Sequence, residues 1–239
     1  MRLYSPDPDV AARFCSGECA ASEYDLLLFS HGNGSDIGAT HRFCEHMSSA
    51  LRMDVLVYDY PQYGHSSSTS ASQANVFASI DAVFEACLEH GWTQSRIFLM
   101  GHSLGSVPTV YRASQPGCRV SGVLLLAPIA SGARVVLQGA RYVPRWTLKY
   151  VDWVLFDNVD RICDVACPIA IVHGKTDDTV PVAHTELLKQ RISVASQYPT
   201  LFLDAGHNEL VDVCSRDLLK ITEYIRKFRE GCLLVARAV

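Results

Sequence analysis

Along the chain, short uninterrupted apolar runs alternate with longer stretches whose apolar residues recur every three or four positions. The runs Leu26–Phe29, Val55–Tyr58, Ile97–Met100, Val120–Leu126, Ile169–Val172 and Thr200–Leu203 read as strands. The stretches 40–52, 73–90, 103–114 and 208–229 read as helices. In the second of these, Val76, Ile80, Val83, Phe84, Cys87 and Leu88 form a stripe at 3.6-residue spacing. In the last, Leu218, Leu219, Ile221, Tyr224, Ile225 and Phe228 are available for burial.

Strands this uniformly apolar belong in a sheet covered on both faces. The strand–helix alternation makes that sheet mostly parallel and doubly wound, an α/β class. Ligand sites of such sheets lie at the carboxyl ends of the strands. Residues 128–162 interrupt the alternation. They carry no strand signal but hold Tyr142, Trp146, Tyr150, Trp153 and Phe156. The segment reads as a small helical insertion: either a lid over the site or a pair of packing helices. Residues 66–72 are a Ser-rich surface loop, and no internal repeat is present.

The length of 239 residues suits one domain spanning 1–239, and 49% hydrophobic residues can fill its core. A net charge of −4 with no basic run argues against nucleic acid as a partner. No apolar run approaches the ~20 residues of a membrane span. The N-terminal nine residues are polar and proline-broken, unlike a signal peptide. The nine cysteines are scattered and odd in number, as expected of reduced, buried or half-buried thiols in a cytoplasmic protein. None has zinc-ligand spacing, so neither a metal nor another cofactor is implied. Peripheral membrane contact is compatible with this reading.

Candidate chemistry sits where the strands end. Gly101-His102-Ser103-Leu104-Gly105 follows an apolar strand and opens a helix. In that context the pattern makes Ser103 a nucleophile on a very tight turn, with glycines where side chains would clash. A serine requires a base, and the base an orienting acid. His207 follows the last strand. Asp177 follows the fifth strand and is the first choice of acid; Asp178 is the alternative, unless it caps the helix beginning near Pro181. The oxyanion donors are expected at the backbone of Leu104 and of Asn33, with Gly34 as the alternative for Asn33. His173 is expected to shape the acid loop. His41, His46, His90 and His184 are expected at the surface.

Ser, then Asp, then His is the order of the α/β-hydrolase fold. Ser30-His31-Gly32-Asn33, Tyr58-Asp59-Tyr60, Tyr63-Gly64-x-Ser66, Gly105-Ser106-Val107-Pro108 and Ala205-Gly206-His207-Asn208 carry a finer likeness. Ile129-Ala130-Ser131-Gly132, Phe156-Asp157-Asn158 and His173-Gly174-x-x-Asp177 belong to the same set. Together they resemble the seventeen-like subfamily of α/β-hydrolase-domain proteins, from about Phe14 to Phe228. The resemblance implies an acyl-enzyme mechanism on Ser103, Asp177 and His207. It also implies a thioester substrate, since animal members remove palmitate from protein cysteines. The sequence departs from the subfamily at His102 and Leu104, which are closer to general lipases and esterases, and at Gln62, where the subfamily has glycine.

The expected function is hydrolysis of an ester or thioester, on a small molecule or an acylated protein. The alternatives are a serine peptidase of the prolyl-oligopeptidase-like type and a non-catalytic binding protein on the same fold.

Overall fold

The computed structural model describes residues 1–18, 21–66, 70, 72–138 and 156–237. Among these, seven strands form one sheet in the order β1-β3-β2-β4-β5-β6-β7. They are β1 (Arg2–Tyr4), β2 (Leu26–Ser30), β3 (Asp54–Val57), β4 (Ile97–His102), β5 (Gly122–Leu126), β6 (Ile169–Gly174) and β7 (Leu201–Leu203). All pairings are parallel except β1 against β3. The helices are α1 (Pro8–Ser16), α2 (His41–Leu51), α3 (Gln73–Glu89), α4 (Ser106–Ala113), α5 (Gly132–Gln138), α6 (Asn158–Arg161), α7 (Ala183–Lys189) and α8 (Leu218–Arg237).

The central strands are buried along their whole length, and their side chains divide by the period of two that a pleat imposes. Leu26, Leu28, Leu99, Val123, Leu125 and Ile171 face one way, toward Ile80 and Phe84 of α3 and Val110 of α4. Leu27, Phe29, Phe98, Met100, Leu124 and Val172 face the other, toward Phe43 and Met47 of α2 and Ile221, Ile225 and Phe228 of α8. The doubly wound, mostly parallel sheet expected from the pattern is thus the observed one.

The structure differs from this reading in three places. The polar N-terminus, assigned no element from its pattern, forms β1 and α1. Three residues are too few to show a period, and β1 depends on pairing with β3. For α1 the signal was local: Asp7 accepts from Asp9 N, proline opens the first turn, and Gly17 closes it in the left-handed region. The last helix begins at Leu218, not near residue 208. Before it, Asp212 accepts from Cys214 N at 2.9 Å and Ser215 accepts from Asp217 N at 3.3 Å. Such side-chain turns compete with helix. Finally, Cys15, Cys163 and Cys214 are exposed rather than buried.

Of the segment 128–162, the structure describes α5 and α6 at its ends; Tyr142, Trp146, Tyr150 and Trp153 lie outside the described residues, as do 67–69 and 71 of the Ser-rich loop. Among the described residues no helix is long and apolar enough to cross a membrane.

Gln62 holds a backbone φ of 68°, in the left-handed region that favours glycine, and its side chain is exposed. A Cβ there is strained. Replacing Gln62 with glycine relieves the strain and is expected to raise stability by about 0.5–1 kcal/mol, after the entropic cost of glycine is subtracted. A thermal melt that leaves Tm unchanged or lowers it would refute the strain.

Candidate active site

At the end of β4 the chain reverses into a short 3-10 turn, Ser103–Gly105, and then α4. The turn leaves no room for side chains. A Cβ on Gly101 would overlap the carbonyl oxygen of Gly105, and one on Gly105 would overlap that of Ser30. Between the glycines Ser103 is held at φ 53°. A non-glycine residue kept there needs its surroundings to over-determine it, and the bonds beneath it do so. The Ser106 hydroxyl donates to Ser103 O at 2.6 Å. Ser106 Oγ in turn accepts from Ile129 N at 3.1 Å and from Asn158 Nδ2 at 3.2 Å, and Asn158 Nδ2 also donates to Ile129 O at 2.8 Å. Ser106 and Asn158 are fully buried. Both stand in quoted motifs, but their supporting role was not read from the sequence. The signal was a hydroxyl and an amide among apolar neighbours, groups that must find partners once buried.

Asp177 follows β6 and His207 follows β7. His207 Nδ1 donates to Asp177 Oδ2 at 2.6 Å, with both side chains nearly out of solvent. That bond leaves Nε2 as the ring's acceptor. Burial by itself raises the Asp177 carboxyl; hydrogen bonds from His173, His207 and Val180 N outweigh it and hold the group well below the usual carboxylate range. Its other oxygen accepts from Thr179 N at 3.0 Å and Val180 N at 2.7 Å. His173, fully buried, stands 3.5 Å from Asp177 Oδ2 while its Nε2 donates to Val180 O at 2.7 Å. It therefore braces the loop that carries Asp177. Asp178 is exposed and accepts from Thr179 Oγ1 at 3.4 Å. It neither meets His207 nor caps α7, whose N-cap is Val182 without a side-chain bond.

His184 is a further correction. It is 1% exposed rather than on the surface, and its Nδ1 accepts from Ala130 N at 2.9 Å. A helical position gave no hint that α7 would turn this face toward the 128–131 segment. His41, His46 and His90 are partly exposed.

The loop after β2 brings Asn33 to the same place. Tyr60 OH donates to His31 O at 2.7 Å, and Tyr63 OH donates to Asn33 Oδ1 at 2.5 Å. Asn33, Ser103 and Leu104 line one cavity of about 470 Å³, within the usual range for small-molecule sites. Its remaining wall is mostly apolar: Val76, Ile129, Val135, Phe156 and Val180. Among the described residues no hydrogen bond joins the Ser103 hydroxyl to His207. The His207 ring instead lies 5.0 Å, centroid to centroid, from that of His102, the residue before Ser103.

A family model described as alpha/beta hydrolase fold matches residues 25–162. Mouse alpha/beta hydrolase domain-containing protein 17C is 33% identical over 208 residues, covering 87% of this chain and 61% of that protein. The chain belongs to the alpha/beta hydrolase fold family. As a member of that family it spans about three fifths of the length of the curated relatives it matches. Among solved structures it is similar to a monoacylglycerol lipase from Paleococcus ferrophilus, with a TM-score of 0.64 at 18% identity, covering 87% of this chain and 94% of that one. An esterase from Pyrococcus furiosus gives a TM-score of 0.66 at 17% identity, covering 87% of this chain and 81% of that one. At such identities the likeness is one of fold.

His102 is buried, and burial, reinforced by the neighbouring His207, pushes its ring down to about 3. An unfolded histidine takes up a proton near pH 6.5. Between the two values the unfolded chain binds more protons, so stability falls as pH drops from 6.5 toward 3. His102→Gln removes this term. Urea melts at pH 7 and pH 5 are expected to show a stability loss smaller by about 2 kcal/mol in the variant. Equal losses would mean that the native ring is charged at pH 5.

Proposed function

We propose that this chain is a serine hydrolase that cleaves an ester or thioester of an apolar acyl group through an acyl-enzyme. The observation that carries the reading is the strained Ser103 at the head of a mostly apolar cavity, with a buried Asp177–His207 pair on the adjoining loops.

In this reading Ser103 Oγ attacks the substrate carbonyl carbon and its proton passes to His207 Nε2. The contact between them forms when substrate is bound, as is common for catalytic hydrogen bonds. The oxyanion is held by the backbone N–H groups of Leu104 and Asn33, a stabilisation for which loss of one donor costs about 10²–10³ in kcat. The positive end of α4 adds to it. Collapse expels the alcohol or thiol, which takes the proton from His207. Water, deprotonated by His207, then attacks the acyl carbon; the tetrahedral intermediate collapses, freeing the carboxylic acid and returning the proton to Ser103. Asp177, ionised throughout, keeps the ring in the Nδ1–H tautomer and stabilises the imidazolium.

The apolar cavity wall supports an acyl chain rather than a charged substrate. Ile129, Gly132, Val135 and Phe156, from the two ends of the 128–162 segment, line it. This supports reading the segment as a lid. Protein depalmitoylation, implied by the family resemblance, is the specific form we favour.

A fluorophosphonate probe should label the wild type and fail on Ser103→Ala; an unlabelled wild type would overturn the enzyme reading. Asp177→Asn should lower kcat by about 10³–10⁴ by leaving the ring in the wrong tautomer. Asp178→Asn should change it less than twofold, and comparable losses would put the acid in doubt. Across p-nitrophenyl esters of increasing length, kcat/KM should rise roughly fourfold per methylene until the cavity is full, from about 0.8 kcal/mol for each buried CH₂. Faster turnover of aminoacyl amides than of any such ester would favour a peptidase instead.

A further inference from the structure

His102 has no part in the steps above, yet three loops meet on its ring. It belongs to the elbow itself, between Gly101 and Ser103. Its Nε2 is bonded to the carbonyl oxygen of His207 at 3.2 Å. A carbonyl only accepts, so Nε2 carries the proton and Nδ1 is bare. The bare side faces the loop after β2: a Cβ built on Gly32 would stand 2.9 Å from His102 Nδ1 and 3.4 Å from Cε1. A bare Gly32 lets that loop close on the ring.

The base loop has two kinds of anchor. Lys175 N donates to Leu203 O at 2.7 Å and Thr176 N to Ala205 O at 3.3 Å, which tie it to the loop of Asp177. His102 ties it to the elbow. The first set keeps the base beside its acid, and the second sets the base against Ser103. A ring that stays neutral serves here better than a charged one. It donates a hydrogen bond without competing for the Ser103 proton, and it does not repel the imidazolium that forms on His207.

We propose that His102 is a positioning residue, holding the His207 loop through its Nε2–H and the Asn33 loop through ring contact at Gly32, so that base and oxyanion donors stay in register with Ser103. The inference rests on reading Ser103, Asp177 and His207 as a triad. It predicts a cost in turnover without a matching cost in binding, because His102 does not line the substrate cavity.

The test compares His102→Gln with His102→Asn in the full chain. The glutamine amide nitrogen reaches about as far as Nε2; the asparagine amide falls short of it. His102→Gln is expected to keep kcat within about threefold of wild type. His102→Asn is expected to lose about 10–100-fold in kcat, with KM within twofold, the scale on which a misplaced catalytic group loses rate. Its rate of phosphonylation by a fluorophosphonate should fall in parallel. Equal turnover in the two variants, or a loss confined to KM, would overturn the proposal. A wild type that the probe does not label fails differently, since it overturns the triad reading and this inference with it. A second measurement needs no variant: nitrogen-15 spectra of the wild-type imidazoles should show His102 as the Nε2–H tautomer from pH 5 to 8. The Nδ1–H tautomer would overturn the proposal even if the asparagine variant did not fold.

Discussion

β4 and α4 meet in a turn so close that two backbone carbonyls occupy the space where Cβ atoms of Gly101 and Gly105 would stand. The rest of the site depends on this exclusion. Because the turn cannot widen, Ser103 is driven to φ 53°. Because Gly105 lies against Ser30 O, the loop after β2 is carried alongside, bringing Asn33 to the same cavity. The strain at one residue is offset by bonds made elsewhere, chiefly those that converge on the buried Ser106 hydroxyl.

The site divides into a polar half, in which both oxygens of the Asp177 carboxylate are paired, and an apolar half that is open. On the polar side, Asp177 loses hydration but gains bonds from His173, His207 and the Val180 amide, and the gain is the larger. Asp177 thus remains ionised. On the apolar side, Val76, Leu104, Ile129, Val135, Phe156 and Val180 give a substrate little to hydrogen-bond to. What they favour is the removal of hydrocarbon from water. The two halves meet at Ser103, and in the proposed reaction a carbonyl carbon sits there with its chain in one half and its developing charge in the other.

Much of the architecture was legible because the strands are uninterrupted apolar runs and the helices between them carry a 3.6-residue stripe. Strands β2 to β7, α2 and α3 fell where the pattern put them. Ser103, His207 and Asn33 followed from strand ends, and Asp177 was preferred to its neighbour. Short or competing features were harder. β1 exists through its pairing with β3, which no local period reveals. The start of α8 was misplaced because Asp212 and Ser215 turn the chain by bonding their own backbone. His184 looked like a surface histidine because helical position alone does not say which neighbour a face will meet.

The sequence by itself determined the alternation that builds a parallel sheet, and with it the strand ends from which the candidate site is made. It also placed glycine on each side of Ser103, which is a local requirement and therefore written locally. The motif favoured Asp177 over Asp178, but only the tertiary structure shows which of the two faces His207, since adjacent side chains on one loop point in different directions. It alone brought Ser106, Asn158 and Ile129 together beneath the elbow, and His102 onto the carbonyl of His207 across 105 residues. Hydrophobic period is a property of neighbours in sequence, whereas the pairing of buried polar groups is settled among neighbours in space.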